Sequence, residues 1–295
     1  MKLSFAYPVQ KFQDWLTQQW VILTGKKINI ESNDWLKGPH GVLGSSGEDF
    51  ILQLAKRERL TVERNDSSVG ILSSISDLNL SDTALGALSE KVIDFYENTA
   101  QFDLNLLVHW NPFFKIFGWI VNHMFSKRIN QLNVPFQSTK NNREIQSKII
   151  TLNDITSGKT VYTFWLRSFS STGQIIYSGL YSTCTPPSGK TCVKAVFPLP
   201  KGNATVILSP SVNKKGELKL TSSGNQFGDA GFYFLLEDAA TQHWARYIRS
   251  FRDQLIVSEK HNKLIAKQSL TLWNLPVLTF TYEITKKTTP KILAD

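Results

Sequence analysis

The residue with the clearest chemical demand in this sequence is an arginine set in an apolar strand. Val161, Thr163, Trp165, Arg167 and Phe169 alternate at the period of a β-strand, which places Arg167 on the face of Trp165 and Val161. A cation in an apolar row is costly to bury unless it meets an anion. Arg167 therefore reads in one of two ways. It grips a ligand carboxylate at the floor of a cavity, or it makes a salt bridge to a neighbouring strand or leaves for solvent at the strand's end. On the next strand Tyr177 and Tyr181 share a face with Gly179 between them. The small residue makes room for a ligand or for a neighbouring backbone, and filling of the sheet core is the plainer alternative.

Other residues carry weaker demands. His109-Trp110-Asn111 and His123 border an apolar stretch, and histidine serves as acid or base near neutral pH. Neither has a Ser, Cys or carboxylate partner in a recognisable arrangement, so structural roles are favoured. Trp244, Tyr247, Ile248, Phe251 and Leu255 fall at helical spacing and predict a helix near 240–252. Arg246 and Arg249 would share a face of it, as an anion gate over a barrel mouth or as an ordinary solvated face. Asp94 and Glu97, three apart, need be no more than one turn of a surface helix.

The five His are dispersed and no Cys or His pair has ligand spacing, so no metal is expected. The loop Gly38–Gly47 has glycines at 41, 44 and 47 but no Lys-Ser/Thr after them, and reads as a connector rather than a phosphate cradle. No cofactor motif stands out. Cys184 and Cys192 flank the turn 185–190 and should face each other across a hairpin. They would be a disulfide in an oxidising compartment and two thiols in a cytosol.

The elements that must position these residues are mostly strands. Alternation predicts them at about 145–152, 160–169, 174–184, 191–199, 203–210, 217–222, 231–237, 263–272 and 276–284. Turn signals at Ser157-Gly158, Thr172-Gly173, Ser188-Gly189, Lys201-Gly202 and Lys215-Gly216 separate the earlier ones, and connections this short make neighbours antiparallel. So many strands in meander order must curl. Upstream, Phe12, Leu16, Trp20 and Leu23 form one helical stripe, and further helices are expected over 48–59 and 83–100. A very apolar helix over 112–125, opened by Asn111-Pro112, is expected to be buried against the sheet's open face or to lie on a membrane surface.

The resulting expectation is an α+β protein: a helical N-terminal part packed on a C-terminal antiparallel meander sheet curled into a barrel or half-barrel. Region 1–110 would be mainly helical, 111–285 would hold the apolar helix and the barrel, and 286–295 would be a tail, all in one compact unit.

Bulk properties set limits on partners. In 295 residues, 41% hydrophobic and 19% charged describe a globular chain able to bury a core. The net charge of +9 favours anionic partners, yet the basic residues are scattered, which argues against nucleic acid. Aromatics at 12% suit a core or an apolar ligand cavity. The first ten residues lack a secretory core, and no stretch reaches the roughly 20 apolar residues of a membrane-spanning helix. A cytoplasmic location is expected by default. The leading expectation is a protein that binds a small apolar or amphipathic ligand, acids included, through Trp165, Arg167, Tyr177, Tyr181, His109, Trp110, His123, Arg246 and Arg249. The alternatives are an enzyme using the same cavity with His109 or His123 as base, and a membrane-surface or protein-docking module using helix 112–125.

Motif density peaks at Trp165-Leu166-Arg167, Phe197–Val206, Phe227–Phe234 and Trp244–Ser250, with Asp94-Phe95-Tyr96-Glu97-x-Thr99 and Gln131–Pro135 upstream. At these segments, over roughly 90 to 285, the chain resembles a bacterial family of conserved hypothetical proteins. That family carries no assigned activity, so the resemblance implies relatedness and no particular chemistry.

Overall fold

The computed structural model of the protein describes residues 5–6, 12–41, 47–65, 69–114 and 143–287. Its helices are α1 (Phe12–Thr24), α2 (Gly47–Glu58), α3 (Asp82–Ala87) and α4 (Glu90–Glu97). The strands of the first region are β1 (Lys26–Ile28), β2 (Leu60–Asn65) and β3 (Phe102–Trp110). The meander follows with β4 (Arg143–Asp154), β5 (Thr160–Phe169), β6 (Ile175–Cys184), β7 (Cys192–Leu199), β8 (Gly202–Val212) and β9 (Leu218–Thr221). Last come β10 (Phe232–Glu237), β11 (His243–Tyr247), β12 (Phe251–Lys260), β13 (Lys263–Leu272) and β14 (Leu275–Lys286).

Ten of these strands close into an antiparallel barrel in the order β3-β4-β5-β6-β7-β8-β9-β12-β13-β14, with β14 pairing back to β3. Strand β8 is the branch point. Its first half pairs β10 and its second half pairs β9, so β10, β11 and β1 leave the barrel as a side wing. Among the described residues closure is thinnest between β3 and β4, where Leu104–Leu106 meet Arg143–Ile145, while β2 pairs Ile149–Asp154 further along the same β4 edge.

The expected turns are present, with Gly158, Gly173, Gly189 and Gly216 all at positive φ. At Lys201-Gly202 the roles are exchanged. Lys201 takes the left-handed conformation while Gly202 sits in the strand, where a Cβ would lie 2.3 Å from the Leu235 carbonyl oxygen.

Alternation sorts the side chains cleanly. Leu104, Leu106, Val108, Trp165, Leu264, Ala266, Leu278, Phe280 and Ile284 point inward and form the largest core cluster. The outward positions of β3, β13 and β14 are mostly polar, carrying Asp103, Asn105, His109, Lys267, Ser269, Thr279, Thr281 and Glu283 with Leu107 and Ile265 among them, none of them buried. This polarity is the reverse of a lipid-facing barrel wall. Helices then cover what remains apolar. Helix α2 lays Phe50, Ile51, Leu54 and Ala55 on the outer face of β4–β7, against Ile150, Leu152, Phe164, Leu166 and Val196. One end of the barrel is closed by α4, whose Val92, Phe95 and Tyr96 enter the main core.

Several expectations need correction. The segment 240–252 is not a helix. Asp238 Oδ1 accepts from the N–H groups of Ala240 and Gln242, which ties a tight turn between β10 and β11. The helical spacing there is coincidental, because Trp244, Tyr247 and Phe251 pack in three different places: against α1, against the Trp35 cluster and against Phe232. The single helix expected over 83–100 is broken at Leu88, whose φ of −72° and ψ of 135° are extended. Region 1–110 is less helical than expected, since β3 alternates buried and half-exposed positions and serves as a barrel strand. Of the apolar helix expected over 112–125, residues 112–114 are helical and Phe113 is 93% exposed. The rest of it, with His123, lies outside the described residues, as does the tail from 288. Cys184 and Cys192 do stand directly opposite each other, as free thiols.

Candidate functional site

The barrel interior is filled mainly by its own side chains, but a cavity of about 90 Å³ remains. Trp165, Arg167, Tyr177, Tyr181, Asp253, Gln268 and Tyr282 line it, with Phe95 and Tyr96 of α4 behind them. The polar groups arrive from two sides. Strands β5 and β6 bring Arg167 and the two tyrosines, while β12, β13 and β14 bring Asp253, Gln268 and Tyr282.

Arg167 is 7% exposed. Its guanidinium carbon lies 4.2 Å from the ring centre of Trp165 and 4.5 Å from that of Tyr177. One terminal nitrogen, Nη2, donates to the Tyr181 hydroxyl at 2.9 Å. Among the described residues no carboxylate pairs with it, and its buried Nε has no hydrogen-bond partner. The two aromatic faces offset part of the desolvation, about 2 kcal/mol each at best. They supply no acceptor, so the demand for an anion noted from the sequence persists in the fold.

Across the cavity, Asp253 is 6% exposed. Gln268 Nε2 donates to its Oδ2 at 2.7 Å, while Oδ1 is buried without a partner. Burial raises its pKa from 3.8 to about 7, the hydrogen bond from Gln268 opposing the shift. Near neutral pH this carboxyl spends much of its time protonated, and is then a hydrogen-bond donor. The Tyr282 hydroxyl is likewise buried and unpartnered. Burial raises the pKa values of Tyr177, Tyr181 and Tyr282, which keeps all three phenols neutral. Three orphan polar groups, Arg167 Nε, Asp253 Oδ1 and Tyr282 OH, thus belong to residues lining one cavity. An acceptor with two oxygens would satisfy such a set.

The remaining sequence candidates are dispersed. Trp110 is buried in the main core and does not line the cavity. His109 is exposed on the outward side of β3, so it cannot act as a base inside the barrel. Arg246 and Arg249 do not gate a barrel mouth. They line an outer groove of about 540 Å³ with Trp20, Thr24, Gly25, Lys26, Phe227 and Tyr247. Gly179 makes room, but for protein: a Cβ there would stand 2.9 Å from the Phe197 ring. Asp253, Gln268 and Tyr282 escaped the sequence reading. The in-facing alternation Asp253, Leu255, Val257 is the available signal, obscured by the helical spacing that runs from Trp244 to Leu255. Among the described residues no group of His, Cys, Asp and Glu could hold a metal ion.

Fold and site together define a closed antiparallel β-barrel with a polar cluster at its centre. No family model matches the chain, and no solved structure matches it. It is similar to the uncharacterized membrane protein YndJ of Bacillus subtilis (strain 168), with 26% identity over 241 residues, 81% of this chain and 41% of that protein. The relative is a bacterial protein without an assigned activity, as the motif resemblance implied. The chain spans less than half of its length.

Proposed function

We propose that the barrel is a binding module for a small carboxylic acid, held at its acid end by Arg167. The observation that carries this reading is a buried guanidinium with a free Nε and no carboxylate partner, beside a cavity that also presents unpaired Asp253 and Tyr282 oxygens. The cavity of about 90 Å³ is smaller than the roughly 150 Å³ that accommodates a benzene molecule, which favours an occupant of a few heavy atoms. Aromatic and aliphatic walls favour a short apolar body beyond the acid group.

Native mass spectrometry of the purified chain, followed by extraction and identification of released acids, tests the proposal. A co-purified small acid that is missing from Arg167→Met supports it. The same occupant in both proteins, or an uncharged one, contradicts it.

A second reading, association with a membrane surface, has its own support. The relative is named a membrane protein. Among the described residues no helix is long and apolar enough to cross a membrane, and this reading is of contact at the surface. An enzymatic role for the cavity has no comparable support, since His109 lies outside the barrel.

A further inference from the structure

Helix α1 turns the wrong side outward. Phe12, Leu16, Trp20 and Leu23 are the stripe that helical spacing picks out, and amphipathic packing would bury it. Instead they are exposed by 72%, 54%, 42% and 70%, while Val21 and Ile22 on the other side pack against Leu236, Phe234 and Trp244. The outward row bears no charge. Gln18 Nε2 donates to the Pro200 carbonyl at 2.9 Å, which ties the helix to the strands beneath it.

The row runs directly into the outer groove, for Trp20 belongs to both. Three cations line that groove, Lys26, Arg246 and Arg249, and none of its lining residues is a carboxylate. Arg246 lies over the Trp20 ring at 5.9 Å and donates through Nη1 to the Thr24 carbonyl, while its buried Nε has no partner. Lys26 sits over Phe227 at 5.3 Å. An uncharged apolar helix face that meets a tryptophan and a cluster of cations has the chemistry of a bilayer interface: apolar side chains among the acyl chains, tryptophan at headgroup level, cations on phosphate.

We propose that this surface docks on an anionic phospholipid bilayer, with the outward row of α1 inserted and a lipid phosphate held in the groove by Lys26, Arg246 and Arg249. The inference rests on the membrane-surface reading and gives it a location and a lipid class. A bilayer is favoured as occupant because the charge-free row and the all-cationic groove are continuous and together match both layers of an anionic membrane surface.

Flotation with vesicles of phosphatidylcholine alone, or with one third phosphatidylglycerol, tests it at low and high salt. The full chain is expected to float with the anionic vesicles, more strongly at low salt. Leu16→Glu with Leu23→Glu should reduce partitioning at least tenfold. Lys26→Ala with Arg249→Ala should reduce it roughly 30-fold on anionic vesicles, given about a fivefold effect per cation near such a surface, and leave any residual binding to phosphatidylcholine unchanged. Both pairs sit at exposed or half-exposed positions, and circular dichroism verifies their fold. Should the leucine pair unfold the chain, Leu23→Ser gives the same test in milder form. Anionic-vesicle binding that is indifferent to both pairs overturns this location while the membrane-surface reading stands. No flotation of the unaltered chain overturns both.

Discussion

Two arginines in this molecule share a predicament and resolve it differently. Arg167 and Arg246 each lie over a tryptophan, at 4.2 and 5.9 Å, and each keeps a buried Nε without a hydrogen-bond partner. Arg167 is enclosed by barrel strands beside about 90 Å³ of space, while Arg246 borders an open groove of about 540 Å³. The guanidinium chemistry is the same and the surroundings decide its use. Inside, the desolvated cation calls for an occupant of a few heavy atoms, with a tyrosine and an Asp253 that is protonated much of the time near neutral pH opposite. Outside, the cation sits with two others beside an apolar helix face, and suits an extended anionic surface.

The supporting tryptophans should differ most. Trp165 is 7% exposed, donates to the Ser147 hydroxyl at 2.7 Å and packs on Phe95 and Tyr181. Trp165→Ala is expected to cost about 3–5 kcal/mol in chemical denaturation. Trp20→Ala, at a position 42% exposed, should cost less than about 1 kcal/mol. Equal losses would erase the distinction between an enclosed and an open site.

Next in size is the pH dependence of the inner site. Between about pH 4 and 7 folded Asp253 retains a proton that the unfolded chain, with the ordinary carboxyl pKa of 3.8, has released. Stability therefore falls as pH rises through that window and levels off above about 7, by an amount on the order of 4 kcal/mol. Asp253→Asn should flatten this part of the profile in denaturant titrations at a series of pH values. The outer groove has no lining carboxylate and contributes no such slope.

The smaller effects separate charge from packing. For Arg167→Met, the lost aromatic contacts and the Tyr181 hydrogen bond are set against relief of an uncompensated buried charge. Stability within about 1 kcal/mol of the parent is expected. A loss of 3 kcal/mol or more would make Arg167 a structural residue. Arg249→Ala should change stability by less than about 0.5 kcal/mol, while acting on vesicle binding.

Much of the barrel was legible because period-two alternation and Gly turns are local signals. Strands β4 to β8 lie within a few residues of where alternation placed them. Strand β10 also lies where alternation placed it, but β11 and β12 were not legible, since Trp244, Tyr247 and Phe251 imitate a helix while serving three different cores. The same pattern explains α1: spacing revealed the stripe of Phe12, Leu16, Trp20 and Leu23 but not which way it faces. At the site, Arg167, Trp165, Tyr177 and Tyr181 announced themselves on two adjacent strands. Their counterparts Asp253, Gln268 and Tyr282 lie far along the chain, and barrel closure alone brings them opposite.

The central claim is that the cation at Arg167 draws a small acid into the barrel. Thermal unfolding of the chain in the presence of acetate, propionate or butyrate, with acetamide, propionamide and butyramide as uncharged controls, tests it most directly. At least one acid should raise the melting temperature of the parent chain, more at pH 6 than at pH 8 because protonated Asp253 donates to the bound carboxylate, and none should do so for Arg167→Met. Equal shifts in the two proteins, or no shift with any acid, would contradict the account.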